Sequence, residues 1–236
     1  LLRKADLVVL ATPIYFYGPT AQLKALIDRS QALWSRKYAL NLEDPRRKWR
    51  KGFLLAVGAT KGKNLFDGTN LTAKYFFDAV GAGFEGKLGY RKVEKMGDMG
   101  AHPTALAEAS AKAKELSVSF LNRKKVLFVC RENACRSQMA AAFARQMAGD
   151  RFEIESAGGA PAEKVNPMME TVMAEKGIDM AYLKPSAISD LPDAWQPDAV
   201  VFMGCEVTCP TFPGAVTEDW DLPDPAKESI DFMRNV

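Results

Sequence analysis

The chain has 236 residues, room for one large or two small domains at roughly 150 residues each. Lys and Arg total 32 against 29 Asp and Glu, a net charge of +3, which excludes binding to nucleic acid through bulk charge. A hydrophobic fraction of 47% with 26% charge excludes a disordered chain, and no apolar run nears the ~18 residues of a membrane span.

In chain order, Leu7-Val8-Val9-Leu10-Ala11 is a short apolar run of the kind buried parallel strands show. Pro19-Thr20 opens a predicted helix with Leu23, Leu26, Ile27, Leu33 and Trp34 on its apolar face. Asp44 to Lys51 is a polar, basic connection, and Arg46-Arg47-Lys48-Trp49-Arg50-Lys51 reads as a solvated face. Phe53 to Val57 is a second buried strand. Leu71 to Val80 is a helix with Tyr75 and Phe76 as its aromatic face. Gly86 to Val93 is a third strand, and Thr104 to Leu121 a helix burying Leu106 and Leu116. His102, the single histidine, reads as a solvated loop residue. It leaves no partner for serine-hydrolase chemistry.

The pattern restarts at Asn122-Arg123-Lys124-Lys125. Val126 to Val129 is a buried strand, and Gln138 to Met147 a helix with Met139, Phe143 and Met147 on one face. Phe152 to Ser156 is a strand, and Pro167 to Lys176 a helix closed by Gly177 with Met168, Met169 and Met173 in the core. Ala199 to Met203 is a further strand. Alternation of strand and helix with a mid-chain restart predicts two α/β domains with parallel sheets, residues 1–121 and 122–236.

The four cysteines form two clusters, Cys130 with Cys135 and Cys205 with Cys209. They are too few for a secreted disulfide scaffold, and no signal peptide is visible, so a reducing cytoplasm is expected. Spacings of four and three residues depart from zinc knuckles, and no metal is expected. Cys130-Arg131-Glu132-Asn133-Ala134-Cys135-Arg136-Ser137 lies between a strand and a helix. A tight loop there can aim successive backbone N–H groups at one point, with the helix dipole behind them. Arg131, Glu132, Asn133, Ala134, Cys135 and Arg136 are the expected oxyanion cradle. Cys130 is the expected thiolate nucleophile, Arg136 a clamp on a tetrahedral oxyanion, and Ser137 a donor to the thiolate.

This stretch, with Ser156-Ala157-Gly158 and Trp220-Asp221-Leu222-Pro223-Asp224-Pro225, resembles the low-molecular-weight protein tyrosine phosphatase family, and more closely its thioredoxin-coupled arsenate reductase branch. The resemblance implies Asp224 as general acid. Phosphatases carry a Tyr after the Asp-Pro, where this chain has Ala226. It further implies that Cys205 attacks Cys130 to expel arsenite, and that Cys209 then takes up the disulfide for reduction by thioredoxin. The readings are therefore an arsenate reductase; a phosphomonoester phosphatase using Cys130, Arg136 and Asp224; or a non-catalytic oxyanion-binding or redox-sensing module. Arsenate or phosphate is the expected ligand, and the C-terminal half requires no cofactor.

The N-terminal half, in Thr12-Pro13-Ile14-Tyr15-Phe16 and Gln22-Leu23-Lys24 to Ile27-Asp28-Arg29, resembles flavodoxin-like NAD(P)H-dependent FMN reductases. The resemblance implies FMN beside Thr12, Pro13, Ile14, Tyr15 and Phe16, with Gly58, Ala59 and Thr60 as a second flavin-side loop. The family's first strand and phosphate loop do not precede Leu1, and the chain opens without Met, as a piece of a longer protein would. A scaffold or homodimerisation role is the other expectation for this half.

Overall fold

The structure, a computed structural model, describes residues 2–204 and 211–236. It divides into two compact units, one containing Arg46–Leu121 with the chain before Leu42, the other containing Leu42–Pro45 and Asn122–Val236.

The first unit runs β1 (Leu7–Pro13), α1 (Ala21–Arg29), α2 (Gln31–Tyr38), β2 (Lys51–Gly58), α3 (Asp67–Ala79), β3 (Gly83–Arg91) and α4 (Ala105–Leu121). The strands form a parallel sheet in the order β1-β2-β3. Val8 and Leu10 of β1 and Leu54 and Ala56 of β2 face Ala73, Phe76 and Phe77 of α3, which supplies the hydrophobic term for this layer. Gly52 allows the close approach. A Cβ there would stand 2.3 Å from the Phe77 ring.

Several local expectations fail here for tertiary reasons. The helix expected through Trp34 breaks at Ser30, a buried residue whose hydroxyl turns back to the Leu26 carbonyl at 3.0 Å. Leu26, Trp34, Tyr75 and Leu106 are exposed, while Phe76 and Leu116 fill the core. The basic run is not wholly solvated. Arg50 is buried and donates to the carbonyls of Arg3, Ala5, Val80 and Gly81. Those carbonyls lie outside the sheet ladder, and a guanidinium's five N–H groups can serve them together. His102 is not idle either. Its Nδ1 accepts from the backbone N–H of Ala105 at 3.2 Å, capping α4, and its ring meets Tyr90 edge-on.

The second unit runs β4 (Lys124–Cys130), α5 (Arg136–Ala148), β5 (Phe152–Gly158), α6 (Pro167–Glu175), β6 (Ala199–Phe202), β7 (Val216–Asp219) and α7 (Ile230–Asn235). All its strands are parallel, in the order β5-β4-β6-β7. Phe128 and Cys130 of β4 face α5, while Leu127 and Val129 face Ile188, Leu191, Trp195 and Phe212. Glu43 pairs with the chain beside Ile178 through two 2.8 Å backbone hydrogen bonds. Helix α5 starts two residues before the expected Gln138. Met139 is buried, but Phe143 and Met147 face solvent. Strand β7 was not foreseen: its residues are all exposed, and its backbone pairs with β6. Among the described residues, no helix is long and apolar enough to cross a membrane.

Candidate active site

Central strand β4 ends at Cys130, and helix α5 begins at Arg136, so the five intervening residues turn above the carboxyl end of the sheet. That end is where α/β folds bind ligands. Asn133 sits at φ +48°, in the left-handed region that Asn tolerates better than most residues. The loop carbonyls are turned outward. Those of Arg131, Glu132 and Ala134 accept from the backbone N–H groups of Ala160, Ala162 and Asn166 at 2.8–2.9 Å. A peptide's N–H points opposite to its C=O, so the following N–H groups turn toward the loop's centre, as an anion cradle requires. One of the loop's N–H groups, that of Asn133, donates to the Cys130 sulfur at 3.2 Å.

Polar side chains lock this shape. The backbone N–H of Ser186 donates to Asn133 Oδ1 at 2.9 Å, and Gln138 Nε2 donates to the same oxygen at 3.0 Å. Because a backbone N–H can only donate, these contacts fix the amide's orientation. Asn133 Nδ2 therefore donates to Ser137 Oγ at 2.9 Å, and Ser137 Oγ lies 3.0 Å from the Cys130 sulfur. The hydroxyl proton is thus free for the sulfur. Gly158 closes the floor: a Cβ there would stand 2.8 Å from the Arg131 carbonyl and 2.9 Å from the Asn133 nitrogen.

Arg136 is buried at the start of α5. Its Nη1 donates to the carbonyls of Met203 at 2.9 Å and Leu222 at 2.6 Å, and its Nη2 lies 3.5 Å from Asp224 Oδ1. The guanidinium therefore ties the start of α5 to the chain after β6 and to the Asp-Pro loop. Asp224 is half-exposed, and its Oδ1 also accepts from the Ala226 N–H at 3.2 Å. Arg131 and Glu132 are exposed at the loop's lip. Cys135 faces away from the site into a methionine-lined core, where burial above all, with Cys130 and Asp224 adding to it, pushes its thiol up to about 12. Cys205 and Cys209 lie outside the described residues. Sequence reading missed Gln138 and Ser186, whose contacts with Asn133 Oδ1 leave no sequence pattern. Among the described residues, no group of three or more His, Cys, Asp or Glu could hold a metal ion.

In the first unit, Thr12 is buried. Its hydroxyl donates to the Pro13 carbonyl at 2.8 Å and accepts from the Thr20 N–H at 3.3 Å. Ile14 is core, its N–H bonded to the Val57 carbonyl, while Pro13 is half-buried. Tyr15 and Gly18 exchange two backbone hydrogen bonds around Phe16 and Tyr17, both at positive φ, and all three aromatics are exposed. Placing two bulky residues there costs on the order of 1–2 kcal/mol each. Gly58 is buried, Ala59 and Thr60 are exposed, and the position a Gly62 Cβ would take lies 2.8 Å from the Tyr17 hydroxyl. An exposed aromatic edge beside a small-residue loop suits a planar ring such as a flavin.

A family model for low molecular weight phosphotyrosine protein phosphatase matches residues 125–236. Over 118 residues the chain is 37% identical to the glutaredoxin arsenate reductase of Synechocystis sp., covering 48% of this chain and 87% of that protein. The chain belongs to the low molecular weight phosphatase and arsenate reductase family. Within it, arsenate reductase 2 of Staphylococcus epidermidis is 36% identical over 118 residues, covering 48% of this chain and 88% of its own. A solved thioredoxin-dependent arsenate reductase of Corynebacterium glutamicum is 32% identical, covering 57% of this chain and 70% of its own, with a TM-score of 0.41. The N-terminal residues 1–83 match a family model for NADPH-dependent FMN reductase, whose fold is flavodoxin-like.

Proposed function

We propose that the second unit reduces arsenate to arsenite, with Cys130 as nucleophile. The observation that carries this reading is the Asn133–Ser137–Cys130 hydrogen-bond chain inside a loop with outward carbonyls, which suits a thiolate attacking a bound oxyanion. In the proposed sequence the Cys130 thiolate bonds to As(V) while the N–H groups of residues 131–136 hold the arsenate oxygens. An As–O bond breaks, and Asp224 protonates the departing oxygen, which leaves as water. Arg136 orients Asp224 and adds positive charge beside the oxyanion.

The Cys205 thiolate then attacks the Cys130 sulfur. An S–S bond forms, the S–As bond breaks, and its electron pair passes to arsenic as As(III). Cys209 displaces Cys130 from Cys205, so the two oxidising equivalents finish as a Cys205–Cys209 disulfide. Thioredoxin is the proposed reductant, with glutaredoxin as the second donor to be assayed. In the first unit, Thr12, Pro13, Ile14, Tyr15, Phe16, Gly58, Ala59 and Thr60 would hold the ring of FMN. When bound, that group would supply hydride and electron transfer from a nicotinamide.

The test incubates reduced protein with arsenate, thioredoxin, thioredoxin reductase and NADPH, and follows NADPH loss. Arsenate-dependent turnover abolished by Cys205→Ser is the expected result. The second reading is a phosphomonoesterase, favoured by the Arg136–Asp224 pair, which does not require the second cysteine pair. Aryl-phosphate hydrolysis surviving Cys205→Ser, without arsenate turnover, would establish it. Neither activity would leave an oxyanion-binding module.

A further inference from the structure

Six of the ten methionines pack into one core with Cys135: Met139, Met168, Met169, Met173, Met180 and Met233. Two of them touch the thiol. Cys135 Sγ lies 3.1 Å from Met233 Sδ and 3.8 Å from Met139 Sδ, and all three side chains are buried. In the reaction proposed above this cluster has no task. Its thiol faces away from the oxyanion loop and stays protonated through burial.

One thiolate and two thioethers form a donor set for a soft monovalent cation. The two side-chain contacts of the Cys135 sulfur are both to thioether sulfurs, donors that soft cations prefer to oxygen-seeking divalent ions. Metal–sulfur bonds of roughly 2.3 Å in a trigonal set place the sulfurs roughly 4 Å apart. The Cys135–Met139 edge already has that length. The Cys135–Met233 edge is shorter, and an unbranched methionine side chain can open it by rotation. Met233 stands on α7, a six-residue helix held to α6 by the Arg234–Glu175 ion pair at 2.7 Å.

We propose that Cys135, Met139 and Met233 form a binding site for a soft monovalent cation, Cu(I) or Ag(I). Binding forms a Cys135 S–metal bond, releases the thiol proton to solvent and changes no oxidation state. The two methionine sulfurs complete the coordination as neutral donors.

The experiment uses the full chain carrying Cys130→Ser, Cys205→Ser and Cys209→Ser, so that Cys135 is the sole thiol. Under anaerobic conditions it is titrated with Cu(I) against a chromophoric Cu(I) chelator, and separately with Ag(I). The expected result is one equivalent bound, a sulfur-to-copper absorption band in the near ultraviolet, and protection of Cys135 from alkylation. Met233→Leu and Met139→Leu preserve the packing volume and are each expected to weaken binding at least tenfold. Circular dichroism checks that each variant is folded. No bound metal, or binding unchanged in both methionine variants, overturns the proposal and leaves the cluster as core packing.

Discussion

Ser137 stands between Asn133 and Cys130, its hydroxyl oxygen 2.9 Å from the amide that donates to it and 3.0 Å from the Cys130 sulfur. With the oxygen already accepting, its proton is free to stabilise a thiolate. A hydrogen bond to a charged group contributes about 1.5–3 kcal/mol, or roughly 10- to 100-fold. Ser137→Ala is therefore expected to lower kcat/KM by that factor at neutral pH. Steady-state kinetics at neutral pH, with Cys130 alkylation rates in wild type and variant, check this.

The absence of a side chain at Gly158 lets β5 lie against the loop. Gly158→Ala would press a methyl group to within 3 Å of the Arg131 carbonyl and the Asn133 nitrogen, both of them backbone atoms. We expect the loop to shift and inhibition by phosphate to weaken at least 10-fold, with the fold retained. Inhibition constants and circular dichroism on the same preparation separate loop distortion from unfolding.

Arg50 serves four carbonyls from a fully buried position. Removing it leaves those acceptors without the guanidinium, a loss of about 3–5 kcal/mol. Arg50→Met keeps much of the volume and should lower stability by that amount in the first unit alone. Hydrogen exchange should rise in β1, β2 and α3 and remain unchanged in β4 and α5.

Tyr90 is buried and donates to Glu108 Oε2 at 2.9 Å. Burial first, and then that carboxylate, raises its pKa from 10.0 to about 12. Because the folded value lies above the unfolded one, the stabilisation is fully present below pH ~10 and is lost as pH rises through about 12. Tyr90→Phe should remove this dependence. Alkaline unfolding curves followed beside the phenolate absorbance test it.

The strand–loop–helix frame around residues 130–137 was readable, because a strand end, a tight loop and a helix start are all local. The fold class was readable for the same reason: short apolar runs alternating with helical periodicity leave few arrangements besides parallel sheets. The broken helix at Ser30 was not readable, since its apolar spacing continues unbroken through Trp34. Nor was the burial of Arg50, which depends on carbonyls 30 to 47 residues away.

The residue types at Cys130, Asn133, Arg136 and Ser137 are chemical facts of the sequence, and they settle that a thiol, an amide, a guanidinium and a hydroxyl share one loop. Which way each points was decided by tertiary structure. Ser186 and Gln138 set the Asn133 amide, the chain from Gly159 to Asn166 turns the loop carbonyls outward, and Met203, Leu222 and Asp224 position Arg136. Hydrogen bonds are directional, and apart from Gln138 their partners here lie far apart along the chain. Only packing of the sheet, the helices and the long loops brings them within bonding distance.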